Sequence, residues 1–181
     1  NDFQIQLVLD ADFSWDHVSE DGRDIRFTAS DGQTELPYWI EQWNHGTGAS
    51  VWVRVNSIAA SPSLTTLYLY YGNETATAAS NGFGTFDFFD DFSSGMLDPG
   101  RWSSSGGTWS VITATQSNGS SGHVAQGFIG SAGKHLLMSS FTGTDYVAEV
   151  SGMLLTGRVW GLGVRATTNQ SLYTLNLYED L

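Results

Sequence analysis

The sequence predicts an all-β protein made of two antiparallel β-sandwich units of jelly-roll type, the second incomplete. Three observations predict it. Apolar residues recur with a period of two along most of the chain, and no run carries the 3.6-residue period of a helix. The candidate strands return roughly every 10–13 residues, with Gly, Ser and Asn between them, as in antiparallel sandwiches. The 181 residues, 40% of them hydrophobic, can fill a core in one large domain or two small ones.

The elements follow in order. Residues 3–9, FQIQLVL, place Phe3, Ile5, Leu7 and Leu9 on one face of a strand. Shorter strands are expected at 24–28 and 36–41, with Pro37 at a strand start or edge because it lacks an N–H for the ladder. In 51–55, VWVRV, the valines Val51, Val53 and Val55 face one way and Trp52 and Arg54 the other. In 65–71, Leu67, Leu69 and Tyr71 oppose Tyr68 and Tyr70. Residues 72–82, GNETATAASNG, are small and polar and read as a loop. The segment FDFFDDF (86–92) marks the hand-over between units 1–85 and 86–181: Phe86 and Phe88 alternate as a last strand, and Phe92 plugs the second core. Further strands are expected at 108–112, 123–129, 134–140, 146–154, 159–166 and 172–178.

Charge is sparse and one-sided. Nineteen acidic residues stand against seven basic ones, a net charge of −12, which disfavours nucleic acid because phosphate binding needs basic clusters. No stretch of 18 apolar residues exists, so no membrane insertion is expected in this segment. The absence of cysteine removes disulfides and thiolate chemistry. The chain opens at Asn1-Asp2 directly before a strand pattern and stops at Leu181 inside another, so both ends read as cut from something longer.

Four groups of residues invite a chemical reading. Asp90, Asp91 and Asp98 either cap turns through their oxygens or help to hold calcium, the one candidate cofactor. Asp90 and Asp91 are neighbours and would point to opposite faces of a strand, which makes them a poor catalytic pair. Asp10, Asp12, Asp21, Asp24 and Asp31 read as turn acids, with Asp24 in an ion pair to Arg23 or Arg26. His17, His45, His123 and His135 lack zinc spacing, and GxSxG is absent, so no enzyme activity is expected. Among the aromatics, Trp39 and Trp52 are expected in the core or between sheets. Trp43, before the loop NHGTG, is expected to be exposed and, with Tyr68 and Tyr70, to bind ligand. Asn73, Asn118 and Asn169 stand in N-x-S/T triplets, each a candidate glycosylation site.

The series DGRDIRF (21–27), LPYWIEQW (36–43), VWVRV (51–55), YLYYGN (68–73) and FDFFDDF (86–92) resembles domain-of-unknown-function family 2341, over roughly residues 1–92. That family occurs in bacterial and archaeal surface or secreted proteins, so the resemblance implies an extracellular or cell-surface location. The family normally opens with a further strand, W-x-Y-R-K-x-I, that pairs near the strand matching residues 3–9, and this sequence lacks it. FDDFSSGMLDPGRW (89–102) and VWGLGVRATTNQSLYTLNLY (159–178) resemble the first part of a concanavalin-like, laminin-G-like sandwich. The expected function is non-catalytic surface assembly or adhesion. Strand addition from neighbouring copies or other chains would complete the sheets and build a filament. The alternative is a carbohydrate-binding module of a secreted polysaccharide-degrading enzyme, with glycans as partners.

Overall fold

The computed structural model describes residues 2–116, 119–128, 136–156, 159–168 and 171–178. The chain is all-β with antiparallel ladders and forms two compact units, Asn1–Asp90 and Asp91–Leu181.

The first unit holds two three-stranded sheets. In one, β5 (Gly48–Val55) lies between β1 (Phe3–Leu9) and β4 (Tyr38–Asn44). In the other, β2 (Arg26–Ala29) lies between β3 (Glu35–Leu36) and β6 (Leu67–Tyr70). Strand β5 alternates without a break: Ala49, Val51, Val53 and Val55 are buried, and the residues between them are not. These four residues, Tyr38 of β4, Phe27 of β2 and Leu36 of β3 belong to one hydrophobic cluster, so both sheets turn an apolar face to the same core. Trp15, in a 3-10 turn at Trp15–His17, joins that cluster, and its indole N–H donates to the Asp10 carbonyl at 2.9 Å.

The outer face of the β1-β5-β4 sheet is covered in part by the chain that follows it. A four-residue helix α1 (Gly82–Thr85) is capped by Asn81, whose side chain accepts from the Gly84 N–H at 3.2 Å. Beyond it, residues 86–101 form no strand, contrary to the expected Phe86–Phe88 strand. Instead Phe86 stacks on Phe89, and both rings meet Trp39 edge-on at 5.8 and 4.9 Å, while Phe86 also meets Trp52 at 5.7 Å. A Cβ on Gly82 would overlap the Phe89 ring, which is why glycine stands there. Arg54 ties the same face down by pairing with Asp2 at 2.8 Å and Asp87 at 3.1 Å. Trp39 and Trp52 are thus half-buried on the outer face, and the expectation of core or intersheet positions for them is corrected.

Among the described residues, the second unit contains three two-stranded ladders: β7 (Trp102–Ser105) with β10 (Leu136–Ser139), β8 (Thr108–Thr115) with β9 (Ser121–Phe128), and β11 (Val159–Thr168) with β12 (Ser171–Tyr178). Residues 146–154 form no strand, although their apolar alternation predicted one, and the serine-rich β7 was not foreseen. Phe92 holds a left-handed backbone (φ 58°) and sets its ring against Trp102 at 5.8 Å.

Candidate functional site

Strand pairing brings the outward residues of the β3-β2-β6 sheet together. Arg26 lies opposite Tyr70 and Thr28 opposite Tyr68, while Phe27, Leu67 and Leu69 turn to the core. Tyr68 and Tyr70 are 46% and 47% exposed, with ring centroids 6.5 Å apart. Strand β6 then ends in a corner at Tyr71-Gly72. The ring of Tyr71, 38% exposed, is held edge-on by Phe13 at 5.0 Å.

Asp24 fixes that corner. It is 3% exposed; one carboxylate oxygen accepts from the Gly72 N–H at 2.7 Å, the other from the Ser19 N–H at 2.9 Å. Burial opposes its charge, but the N–H groups of Gly72 and Ser19 outweigh that and hold its carboxyl below the ordinary range. The expected ion pair of Asp24 with Arg23 or Arg26 is corrected: Arg23 pairs with Asp21 at 3.3 Å. Arg26 spans the floor beside Asp24. Its guanidinium donates to the carbonyls of Thr77 (2.6 Å), Ile25 (2.6 Å) and Arg23 (2.9 Å). The Tyr38 hydroxyl donates to the same Ile25 carbonyl at 2.8 Å; burial raises its pKa, against the influence of Arg26.

These groups border an open cleft of about 420 Å3, lined by Asp24, Arg26, Tyr70, Tyr71, Asn73, Thr75, Ala76 and Thr77. Asn73 stands at this cleft in a closed turn, its side-chain oxygen accepting from the Thr75 N–H (3.1 Å) and hydroxyl (2.8 Å). Asn118 and Asn169 lie outside the described residues, as does His135.

Of the three expected ligand-binding aromatics, the structure brings Tyr68 and Tyr70 together and leaves Trp43 apart. A β-bulge between Ile40 and Gln42 adds one residue to β4, so Trp43 comes to lie opposite the buried Ala49, on the core side. There it packs against the core cluster, meets Trp15 edge-on at 5.4 Å, and lies over Gly22. Its expected exposure is corrected to half-buried. Glu41, at the bulge, stays on the outer face and accepts from Ser50 (2.7 Å), Gln6 (3.1 Å) and Trp52 (3.2 Å).

The acidic residues share one local geometry. Asp10, Asp21, Asp31, Asp91 and Asp98 each accept, through a side-chain oxygen, the backbone N–H two residues on, and Asn73 does the same. Asp31 also takes the Thr34 hydroxyl and N–H, which hold its pKa at about 2. Asp90 is half-buried. Among the described residues, no group of three or more His, Asp or Glu side chains is placed to hold a metal ion. Sequence reasoning named Arg26 only as an ion-pair partner and did not single out Thr75 and Thr77. The signal available was the YYGN corner, where a strand ends on two tyrosines and a turn.

The model of a family described as Domain of unknown function (DUF2341) matches residues 21–105, and so takes in all five motifs of the resemblance and the whole cleft. The match begins after β1 and runs through β7. No curated protein and no solved structure matches the chain.

Proposed function

We propose that this chain is a non-catalytic module of an extracellular or cell-surface protein and acts in surface assembly or adhesion by accepting a strand along β1. The edge of β1 carries this reading. All seven residues of the strand pair with β5 on one side, and among the described residues nothing pairs with its other side. The opposite edge of the same sheet is treated differently: the Asn81 N–H donates to the Tyr38 carbonyl at 2.8 Å, and Ser80 accepts from the Ile40 N–H at 2.9 Å. Open edges are normally blunted by charge, proline or a bulge. FQIQLVL has neither charge nor proline, its register is unbroken, and Val8 is 72% exposed. An incoming strand would gain main-chain hydrogen bonds along this length.

The remaining residues fit the same reading. A head-to-tail strand contact that does not close would build a filament. The depressed carboxyls Asp24 and Asp31 spend their oxygens on protein N–H and hydroxyl groups, Asp24 on Ser19 and the distant Gly72 and Asp31 on its own turn, which favours a structural role over a catalytic one.

The test is mass measurement by light scattering across a concentration series, with electron microscopy of the concentrated sample. The protein is expected to form concentration-dependent oligomers or filaments, and Val8→Lys to stay monomeric with an unchanged circular dichroism spectrum. A wild-type protein that stays monomeric at every concentration would remove the assembly reading. A second reading, carbohydrate binding, is favoured by the exposed pair Tyr68 and Tyr70.

A further inference from the structure

We propose that the cleft beside the Tyr70-Tyr71 corner is a binding site for a neutral saccharide. This proposal rests on the carbohydrate reading and narrows it to one place and one ligand class. At about 420 Å3 the cleft falls within the size range of small-ligand sites, roughly 300–1,000 Å3. Its walls combine the two surfaces that a pyranose needs. Tyr70 and Tyr71 supply exposed ring faces, against which the C–H face of a sugar can pack. Asn73, Thr75 and Thr77 supply amide and hydroxyl groups for sugar hydroxyls. The side-chain oxygen of Asn73 already accepts from Thr75, so its Nδ2 is the group it can offer to a ligand.

The site is preformed, which lowers the ordering cost of binding. Phe13 fixes the Tyr71 ring, Asp24 fixes the Gly72 backbone, and Thr77 is held through its carbonyl by Arg26. The same bonds set the charge preference. Asp24 and Arg26 both line the cleft and are each held by protein groups, so the lining carries one charge of each sign and no net charge. The net charge of −12 further disfavours uronate or sulfated chains. A neutral ligand is the class that remains.

The experiment is isothermal titration of the full chain with neutral pentasaccharides of β-glucan, α-glucan, xylan and mannan, with an oligogalacturonate as the charged control. At least one neutral sugar should bind and the oligogalacturonate should not. Tyr70→Ala and Asn73→Ala should each weaken binding about tenfold or more, whereas Leu64→Ala, an exposed residue outside the cleft lining, should change it less than threefold. Circular dichroism of each variant checks that the fold is kept, and Tyr70→Phe, which retains the ring, should keep most of the affinity. Neutral-sugar binding that is indifferent to Tyr70→Ala and Asn73→Ala would overturn the cleft and leave the carbohydrate reading standing. Failure of every neutral sugar to bind would overturn both. A preference for the oligogalacturonate would overturn the ligand class.

Discussion

The two units are made of the same material, antiparallel ladders with alternating side chains, yet the residues whose exposure is described differ in burial between them. In Asn1–Asp90, ten hydrophobic residues between Trp15 and Val55 are buried, contributed by both sheets and the turns between them. In Asp91–Leu181, none of the residues whose exposure is described is buried, and Phe128, Tyr173 and Leu175 are largely exposed. The hydrogen-bonded ladders are comparable: β8 pairs with β9 over eight residues, β1 with β5 over seven. The first unit lays a second apolar layer against each of its sheets. A two-stranded ribbon has no such layer of its own, and ladder hydrogen bonds add little net stability because water supplies equivalents in the unfolded chain.

The largest effect expected from this contrast lies in matched large-to-small changes. Phe27→Ala, at a side chain 1% exposed, should cost about 3–5 kcal/mol in urea unfolding. Leu175→Ala, at 67% exposed, should stay within about 0.5 kcal/mol. A comparable loss at Leu175 would break the contrast and reveal a cover on the second unit in solution.

Aspartates sharpen it at the next level. Asp24 joins Ser19 to Gly72 across the first unit, whereas Asp91 and Asp98 reach only two residues along their own turns. Asp24→Asn should therefore cost about 1.5–3 kcal/mol by leaving a backbone N–H without its acceptor, and Asp91→Asn or Asp98→Asn about 0.5 or less. The sign of the pH effect follows from the lowered folded-state pKa of Asp24. Its contribution is fully present above the unfolded value near 3.8 and is lost as pH falls through the lower folded value. An acid titration of stability should show this loss in the wild type and a shallower one in Asp24→Asn.

A smaller effect tests how tightly the first core is closed. Gly22 has φ +69°, and an added Cβ would come within 2.9 Å of the Trp43 ring. Gly22→Ala should cost about 1–3 kcal/mol from backbone strain and displacement of that ring, read as a lower thermal midpoint with altered tryptophan fluorescence. An unchanged midpoint would mean that Trp43 is free to move.

The chain alone determined what depends on neighbours one or two residues away. Successive side chains on a strand point to opposite faces, so the alternation in residues 3–9 and 51–55 located β1 and β5 and assigned Val51, Val53 and Val55 to the core. The turn-forming aspartates were legible for the same reason, since each binds its own backbone two residues on. Tertiary structure decided the rest, because those choices depend on partners far along the chain. One extra residue at Glu41 reverses every later side chain of β4, so Trp43 left the surface where its place before the loop NHGTG had put it. Phe86 and Phe89 follow no strand period; they fold back onto Trp39 and Trp52 because the outer face of that sheet offers apolar area to cover. The cleft rests on partners far apart in the chain: the β2–β6 ladder sets Tyr70 opposite Arg26, and Asp24 holds the backbone of Gly72, 48 residues later, a juxtaposition that no local pattern encodes.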